Sequence, residues 1–441
     1  MKSIACLALF VNVISLGGIA QTTQVTGLPA GQQAPMTLTL QDALHRAQQN
    51  EPQFRAALTE AGIAHEDRVQ ARSALLPTIA YNNQFLYTQG NGTPTARYIA
   101  NNGVHEYISQ GDAHQVLNFG FGQLADYRRT AAMEALAQAR AEIAARGLVV
   151  TVTQSYYGLV VAMRKFANTQ RATNEAQRFL DLSKKLEQGG EVAHSDVIKA
   201  QIQFNDQDRA LREAQRQLEQ ARLSLAVLVF PNFTQDFTVV DDLEAAPPLP
   251  SPSEISAMAN RKNPDLHAAM ATLAASRQEI SVARGEYFPT LTFDAFYGID
   301  ATRFATRVDG IPVLGYAAVA TLNIPIWNWG ATQARVKQAQ LREKQARVEL
   351  SATQRQLLAN LQGFYSEAQT ARGELDTLRN SADLAADSLR LTILRYQGGE
   401  ATALEVVDAQ NTLTLARNNY ADGEARYRLA LATLQTLTGA F

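Results

Sequence analysis

The sequence predicts a mainly α-helical protein with a β-barrel part, internally duplicated. Three observations support this fold class. A Gly-Gly phrase occurs twice, as EQGGEVAHSDVIKAQ at 187–201 and as YQGGEATALEVVDAQ at 396–410. Each phrase follows a long proline-free stretch rich in Ala, Gln, Leu, Arg and Glu, a composition that favours long helices. Short segments of alternating polarity, typical of strands, come before those stretches.

The overall composition sets the first limits on function. The chain has 441 residues, of which 46% are hydrophobic and 19% charged, with a formal net charge of -2. This length allows a large buried interior. The balance of charge is not basic enough to indicate nucleic acid as a partner.

The first residues have the features of a secretory signal peptide, which we assign to residues 1–20. Lys2 precedes the apolar run IACLALFVNVISLGGIA, which ends at small residues before Gln21. An N-terminal membrane anchor is the alternative. Cys6 is the only cysteine and lies inside this run, so cleavage after Ala20 would leave no thiol for disulfides or metal binding.

The doubled phrase belongs to a longer internal duplication. Pro52 corresponds to Pro264, an offset of about 212 residues, and further pairs follow at nearly the same offset. The segment EAAPPLPSPSE at 244–254 separates the copies. We therefore predict a first repeat at 21–245 and a second at 246–441, which together form one intertwined domain. The other matched pairs are LPT at 76–78 with FPT at 288–290, NFG at 118–120 with NWG at 328–330, and SYY at 155–157 with GFY at 363–365.

Each copy begins with short helices and continues into strands. In the first copy we predict helices at 40–49 and from Pro52 to about Leu75, the second ended by Pro77. Glycine- and proline-containing loops at 90–94 and 309–312 separate the strands of each pair. Segments of about ten alternating residues are typical of transmembrane β-strands, although soluble hairpins give the same pattern. The predicted strands are 79–88, 106–117, 291–300 and 313–324.

Long helices follow the strands in both copies. The stretches 122–188 and 330–397 are each roughly 65 residues, or about 100 Å of helix. Each reaches a Gly-Gly phrase, where glycine permits the left-handed helix stop, and returns as a second helix at 195–230 or 402–437. The two phrases are therefore the predicted tips of two long helical hairpins.

Four candidate membrane strands are too few to close a barrel. The smallest single-chain barrels use about eight strands, and open strand edges are not tolerated in lipid. If these strands cross a membrane, several chains must pool them. A hollow assembly follows, with a pore in the membrane continued by a cylinder of helices.

The second tip carries a motif that resembles the TolC-like outer-membrane efflux family. The motif is Tyr-x-x-Gly-x(5)-Glu/Asp-Val-x-Asp-Ala, present at 396–409, and the duplicated plan resembles the same family. The resemblance implies a homotrimer whose chains each contribute four strands to a shared barrel in the outer membrane, with a long periplasmic α-barrel. It also implies a passive exit duct for efflux or secretion, which docks on a periplasmic adaptor protein joined to an inner-membrane transporter.

The resemblance also implies a gate at the periplasmic tips. Glu405 and Asp408 match a paired acidic ring at the family's constriction, and their spacing places both carboxylates on one helix face. Such a ring favours cations and raises its own pKa values by mutual repulsion. The alternative is that both groups complement the helix dipole. The corresponding positions of the first copy are Asp196 and Lys199, as expected if an inner and an outer hairpin differ.

Other tip residues match the family's lock and docking zone. Tyr396 matches a tyrosine that bonds polar residues of the first hairpin, here Ser195 and Asp196. Ala401 stands where the family has an arginine, so that part of the lock is missing. The tip glycines are the expected adaptor contacts, besides their role as helix stops. They are Gly189, Gly190, Gly398 and Gly399.

The sequence contains no motif that proposes an enzyme, a metal site or a cofactor. The G-x-G-x-x-A pattern at 120–125 precedes a helix several times too long for a nucleotide-binding βαβ unit. The six histidines have no ligand spacing. A soluble periplasmic coiled-coil scaffold or adaptor is the alternative function, and the exported substrate is not specified by the sequence.

Overall fold

The computed structural model describes residues 36–87, 105–232, 235–245 and 247–439. The predicted signal peptide and the loop at 90–94 lie outside the described residues. Within them, the same order of two short helices, two main strands and two long helices occurs twice. The elements are β1 (Met36–Leu38), α1 (Leu40–Asn50), α2 (Pro52–Ser73), β2 (Thr78–Tyr87), β3 (His105–Asn118), α3 (Gly122–Gln188), α4 (His194–Val229), β4 (Phe237–Val239), α5 (Pro252–Lys262), α6 (Pro264–Gly285), β5 (Thr290–Ala301), β6 (Arg307–Val308), β7 (Ile311–Pro312), β8 (Leu314–Asn323), α7 (Ala331–Gln397) and α8 (Ala403–Thr438).

The short helices begin at matching caps in the two copies. α1 and α5 each begin with a capping box, formed by Thr39 with Asp42 and by Ser251 with Glu254. α2 and α6 each begin with proline at the first helical position, where its missing N–H removes no hydrogen bond. Sequence-local signals therefore fix where these helices begin.

The long helices form two antiparallel hairpins. α3 and α7 each contain 67 residues and extend about 100 Å, and α4 and α8 each contain 36 residues. We call α3 with α4 the first hairpin, and α7 with α8 the second. The predicted return helix at 195–230 is observed one residue earlier, at His194–Val229. Within the described residues, no helix combines the length and apolar character that a membrane-crossing helix requires.

The main sheet has four antiparallel strands in the order β2-β3-β5-β8. The central pairing of β3 with β5 joins the two copies, with Tyr107 opposite Ala301 and Asn118 opposite Thr290. β2 and β8 are the outer strands. The segment predicted as a loop at 309–312 instead belongs to a small ribbon, in which β6 and β7 pair across a turn of two positive-φ residues, Asp309 and Gly310.

A short parallel pair that the sequence did not predict ties the start of the described chain to the hairpins. β1 pairs with β4 in register from Met36 and Phe237. The Tyr156 hydroxyl, from α3, donates to the carbonyl oxygens of Val240 at 2.8 Å and Leu38 at 3.2 Å. This pair covers an apolar core between α1, α3 and α4. Three-residue strands carry too little alternation to be recognised.

Candidate functional site

The two hairpin tips have the same backbone geometry. Gly190 and Gly399 both have φ +74°, a left-handed conformation that strains any residue with a Cβ. At each tip, the N–H that follows this glycine reaches back to close the helix. Glu191 N–H donates to Leu186 O at 2.9 Å and Glu400 N–H donates to Arg395 O at 2.8 Å. All four tip glycines (Gly189, Gly190, Gly398 and Gly399) are exposed, so the surface there is mostly backbone.

At the second tip, Glu405 is held by its own helix start. Its carboxylate accepts from the Thr402 backbone N–H and hydroxyl, both at 3.1 Å, while the Glu405 N–H donates to the Thr402 hydroxyl. Arg395 Nη1 lies 3.5 Å from Glu405 Oε2. The Thr402 backbone N–H, then its hydroxyl and Arg395, hold the pKa of Glu405 below its ordinary value. The alternative that Glu405 complements the helix dipole is therefore supported by geometry, because Glu405 forms a capping box with Thr402.

The first tip starts its return helix without such a cap. Its N-cap residue is Ala193, which offers no side-chain acceptor. Asp196 Oδ1 lies 3.1 Å from Lys199 Nζ, and His194 Nδ1 lies 2.6 Å from Glu187 Oε1 across the turn. The duplicated tips thus share a backbone but differ in how their acidic side chains are bound.

Tyr396 joins the second hairpin to the first. Its side chain is 2% exposed, its hydroxyl lies 3.2 Å from Ser183 Oγ on α3, and its ring meets Phe179 at 5.1 Å between centroids. Of the partners that the resemblance implied, Ser195 is exposed and Asp196 binds Lys199. The described chain therefore places the tyrosine contact deeper in the first hairpin.

Further polar contacts join the two hairpins along the seam between them, progressively farther from the tip than Tyr396. Gln203 Nε2 donates to Asn411 Oδ1 at 2.9 Å, Asn168 Nδ2 donates to Asn418 Oδ1 at 3.2 Å, and further along Arg164 binds Glu424. Gln410 lies beside this seam and is 3% exposed. Its amide nitrogen and oxygen have no hydrogen-bond partner among the described residues.

The four-stranded sheet has one apolar and one polar face. The apolar face exposes large side chains, for example Ile79 at 83% and Tyr316 at 86%. On the opposite face, Asn82 Nδ2 donates to Asp112 Oδ1 at 3.1 Å and His114 Nδ1 lies 2.6 Å from Asp294 Oδ1. This is the arrangement of a barrel wall with lipid outside and water inside.

Sequence reasoning missed the contacts that depend on the register between helices. Ser183 and Arg395 lie in helical stretches outside the doubled phrase, and Gln410 ends that phrase without any sign that its side chain is buried. The one available signal was at Arg395, a cation directly before the motif tyrosine. Among the described residues, no group of three or more His, Cys, Asp or Glu side chains is arranged to hold a metal ion.

Comparison with known proteins identifies the class. The family model described as outer membrane efflux protein matches the chain twice, at residues 43–229 and 255–440. The alkaline protease secretion protein AprF of Pseudomonas aeruginosa is 24% identical, covering 91% of this chain and 84% of its own length. The outer membrane protein TolC of Vibrio cholerae is also 24% identical, covering 90% of this chain and 89% of its own.

A solved structure has the same fold. The open state of the MtrE outer membrane channel of Neisseria gonorrhoeae superposes with a TM-score of 0.78 at 20% identity, covering 91% of this chain and 89% of that chain. The mainly α fold with a β part, predicted from the sequence, is confirmed.

The matched family and relatives show that this protein is an outer-membrane exit duct. The chain belongs to the outer membrane efflux protein family and is TolC-like, as the tip motif predicted. The family's members are channel proteins. The alternative of a soluble periplasmic scaffold finds no support among the matched proteins.

Proposed function

We propose that three copies of this chain form a homotrimeric duct that carries exported cargo through the outer membrane into the medium. The observation that carries this proposal is the four-stranded sheet with outer strands β2 and β8 and an apolar outward face. Open strand edges are not tolerated in lipid, so the outer strands need partner strands from neighbouring protomers. Three chains with four strands each would close one barrel, whose outward face contacts outer-membrane lipid.

Unpartnered apolar helix surfaces support the same assembly. No residue of α2 is fully buried within one chain, and Leu58 on its surface is 49% exposed. Ile202 on α4 is 55% exposed and Leu394 on α7 is 54% exposed. Helices of 67 residues need packing along their length, because helical propensity alone contributes little. Neighbouring protomers would cover these surfaces and complete a periplasmic cylinder.

The hairpin tips are the end of the duct that meets other proteins. We infer that a periplasmic adaptor docks on the exposed tip glycines Gly189, Gly190, Gly398 and Gly399, and that an inner-membrane transporter behind the adaptor supplies the energy. The duct itself is passive and performs no enzymatic step. Exposed backbone at a left-handed turn gives an adaptor hydrogen-bonding groups without side chains in the way.

The same tips form the gate of the proposed duct. Glu405 and Asp408 supply acidic side chains at the constriction, and Tyr396 braces the second hairpin against the first. Ser195 and Asp196 lie at the tip of the first hairpin, within reach of a neighbouring protomer. We further propose that the repeats at 21–245 and 246–441 act as one intertwined domain, which is supported by the pairing of β3 with β5.

The experiment combines fractionation with planar-bilayer recording. The full chain should be recovered from outer membranes as a detergent-stable trimer that forms channels. Glu405→Ala with Asp408→Ala should raise single-channel conductance and weaken cation preference, because the acidic constriction is removed. Recovery of a monomer with periplasmic contents would overturn the duct. Unchanged conductance and selectivity in the double variant would remove the gate from these carboxylates.

A further inference from the structure

The third residue of each return helix is acidic and has a cationic partner. At the first tip, Asp196 Oδ1 lies 3.1 Å from Lys199 Nζ. At the second tip, Glu405 Oε2 lies 3.5 Å from Arg395 Nη1. The partners come from different places, since Lys199 follows in the same helix and Arg395 reaches over from the end of α7. Both tips therefore compensate this carboxylate.

Arg395 is fixed in its position by a second contact. Its Nη2 donates to the carbonyl oxygen of Glu400, within the turn, at 3.0 Å. Glu405 is in turn held by the backbone and hydroxyl of Thr402. Both members of the charge pair are therefore also hydrogen-bonded to the turn.

Asp408 lies about one helical turn beyond Glu405 and is different. Its side chain is exposed, and the structure gives it no hydrogen bond or ion pair with any described residue. In the first copy the corresponding position is Lys199. Asp408 is therefore the carboxylate of the predicted acidic pair that keeps an uncompensated charge.

We propose that Arg395 sets the charge selectivity of the tip constriction by neutralising Glu405, so that of the two gate carboxylates only Asp408 adds a net negative charge to the constriction. This inference rests on the proposed duct and its gate at the tips. A carboxylate and a guanidinium 3.5 Å apart act on a passing ion as a dipole, whose field decays faster than that of a single charge. The field of Asp408 extends over about a Debye length, roughly 8 Å at physiological salt.

A ring in which Glu405 and Asp408 act independently would give a different permeability ratio when Arg395 and Glu405 are replaced together. Arg395→Gln combined with Glu405→Gln deletes both charges of the pair and leaves Asp408. The cation-to-anion permeability ratio should then stay at the wild-type value. Arg395→Gln alone frees the Glu405 charge and should raise the ratio about threefold or more, while Asp408→Asn should lower it by a similar factor.

The measurement is the reversal potential of the full-length trimer in planar bilayers under a potassium chloride gradient. Arg390→Gln is the matched control, because it removes the same charge from α7 at a site about 140° around the helix, where Arg390 pairs with Asp387. This control should leave the ratio unchanged. All variants must run as trimers before recording.

Two outcomes separate the inference from the proposed function. If wild-type protein forms no channels, the duct itself is wrong. If the channels form but Arg395→Gln leaves the ratio unchanged, or the paired variant lowers it, Glu405 acts independently and the role of Arg395 is refuted.

Discussion

The hydroxyl of Tyr396 lies 3.2 Å from Ser183 Oγ and thereby joins the end of α7 to α3. Both residues are buried, Ser183 at 0% and Tyr396 at 2% exposure. The contact stands between the candidate gate and the polar seam above it. It is a neutral hydrogen bond between the hairpins, so it holds them together without long-range electrostatic attraction.

Removing this hydrogen bond should loosen the tip. Tyr396→Phe and Ser183→Ala should each lower the free energy of unfolding by about 1 kcal/mol. The double variant should cost less than the sum, since both changes remove the same bond. Denaturant unfolding of the trimer in detergent measures the energies, and bilayer recording should show higher conductance in each single variant. Additive costs would show that the two side chains are not coupled.

Gly298 and Gly315 are direct partners on β5 and β8 with opposite expected tolerance. A Cβ on Gly298 would lie 2.3 Å from Ser109 O, whereas one on Gly315 would meet nothing within 4 Å. Gly298→Ala should therefore distort the β3–β5 pairing and sharply reduce trimer in the outer membrane, while Gly315→Ala should not. The amount of heat-modifiable trimer on gels is the readout. Equal yields of the two variants would contradict the close approach.

The buried amide of Gln410 should cost stability. Its two polar atoms have no partner among the described residues, and an unsatisfied buried polar group costs about 1–3 kcal/mol. Gln410→Met, which has similar volume, should raise the free energy of unfolding by about 1–2 kcal/mol. Gln203→Met is the control, because the Gln203 amide donates to Asn411 and its loss should destabilise. A Gln410→Met protein that unfolds more easily would argue for a bonded amide.

The capping box at the second tip should make that tip sensitive to acid. The pKa of Glu405 is lowered in the folded chain, first by the Thr402 backbone N–H. A lowered carboxyl pKa contributes stability that is full above the unfolded value, about 4.3, and lost as the pH falls through the folded value. Amide hydrogen-exchange protection at 402–406 should therefore drop below about pH 4. Thr402→Ala should abolish this pH step, and a persistent step would assign it to another group.

Local sequence signals predicted where the elements lie. Glycine at the tips, proline at the starts of α2 and α6, and alternation in β2 and β5 each act within a few residues of the boundary they fix. The observed ends of α4 are one residue from prediction. The fold class followed because the same signals occur twice in the same order.

Contacts between distant segments could not be predicted in this way. The pairing of Tyr396 with Ser183 depends on how far one hairpin slides along the other, and helical periodicity leaves that register free. The compensation of Glu405 by Arg395 needs the rotation of α7 at its last turn. The motif marked the two carboxylates as a pair, but only the three-dimensional arrangement distinguishes a compensated one from a free one.

The equal lengths of α3 and α7, 67 residues each, constrain how such a chain can change. Because each helical residue adds about 1.5 Å and the two helices have equal lengths, both tip turns lie at the same distance from the sheet. An insertion in one long helix alone would carry its turn past the other and misalign the seam contacts between the insertion and the tip. The distance that the duct extends into the periplasm can therefore change only if all four hairpin helices change length together.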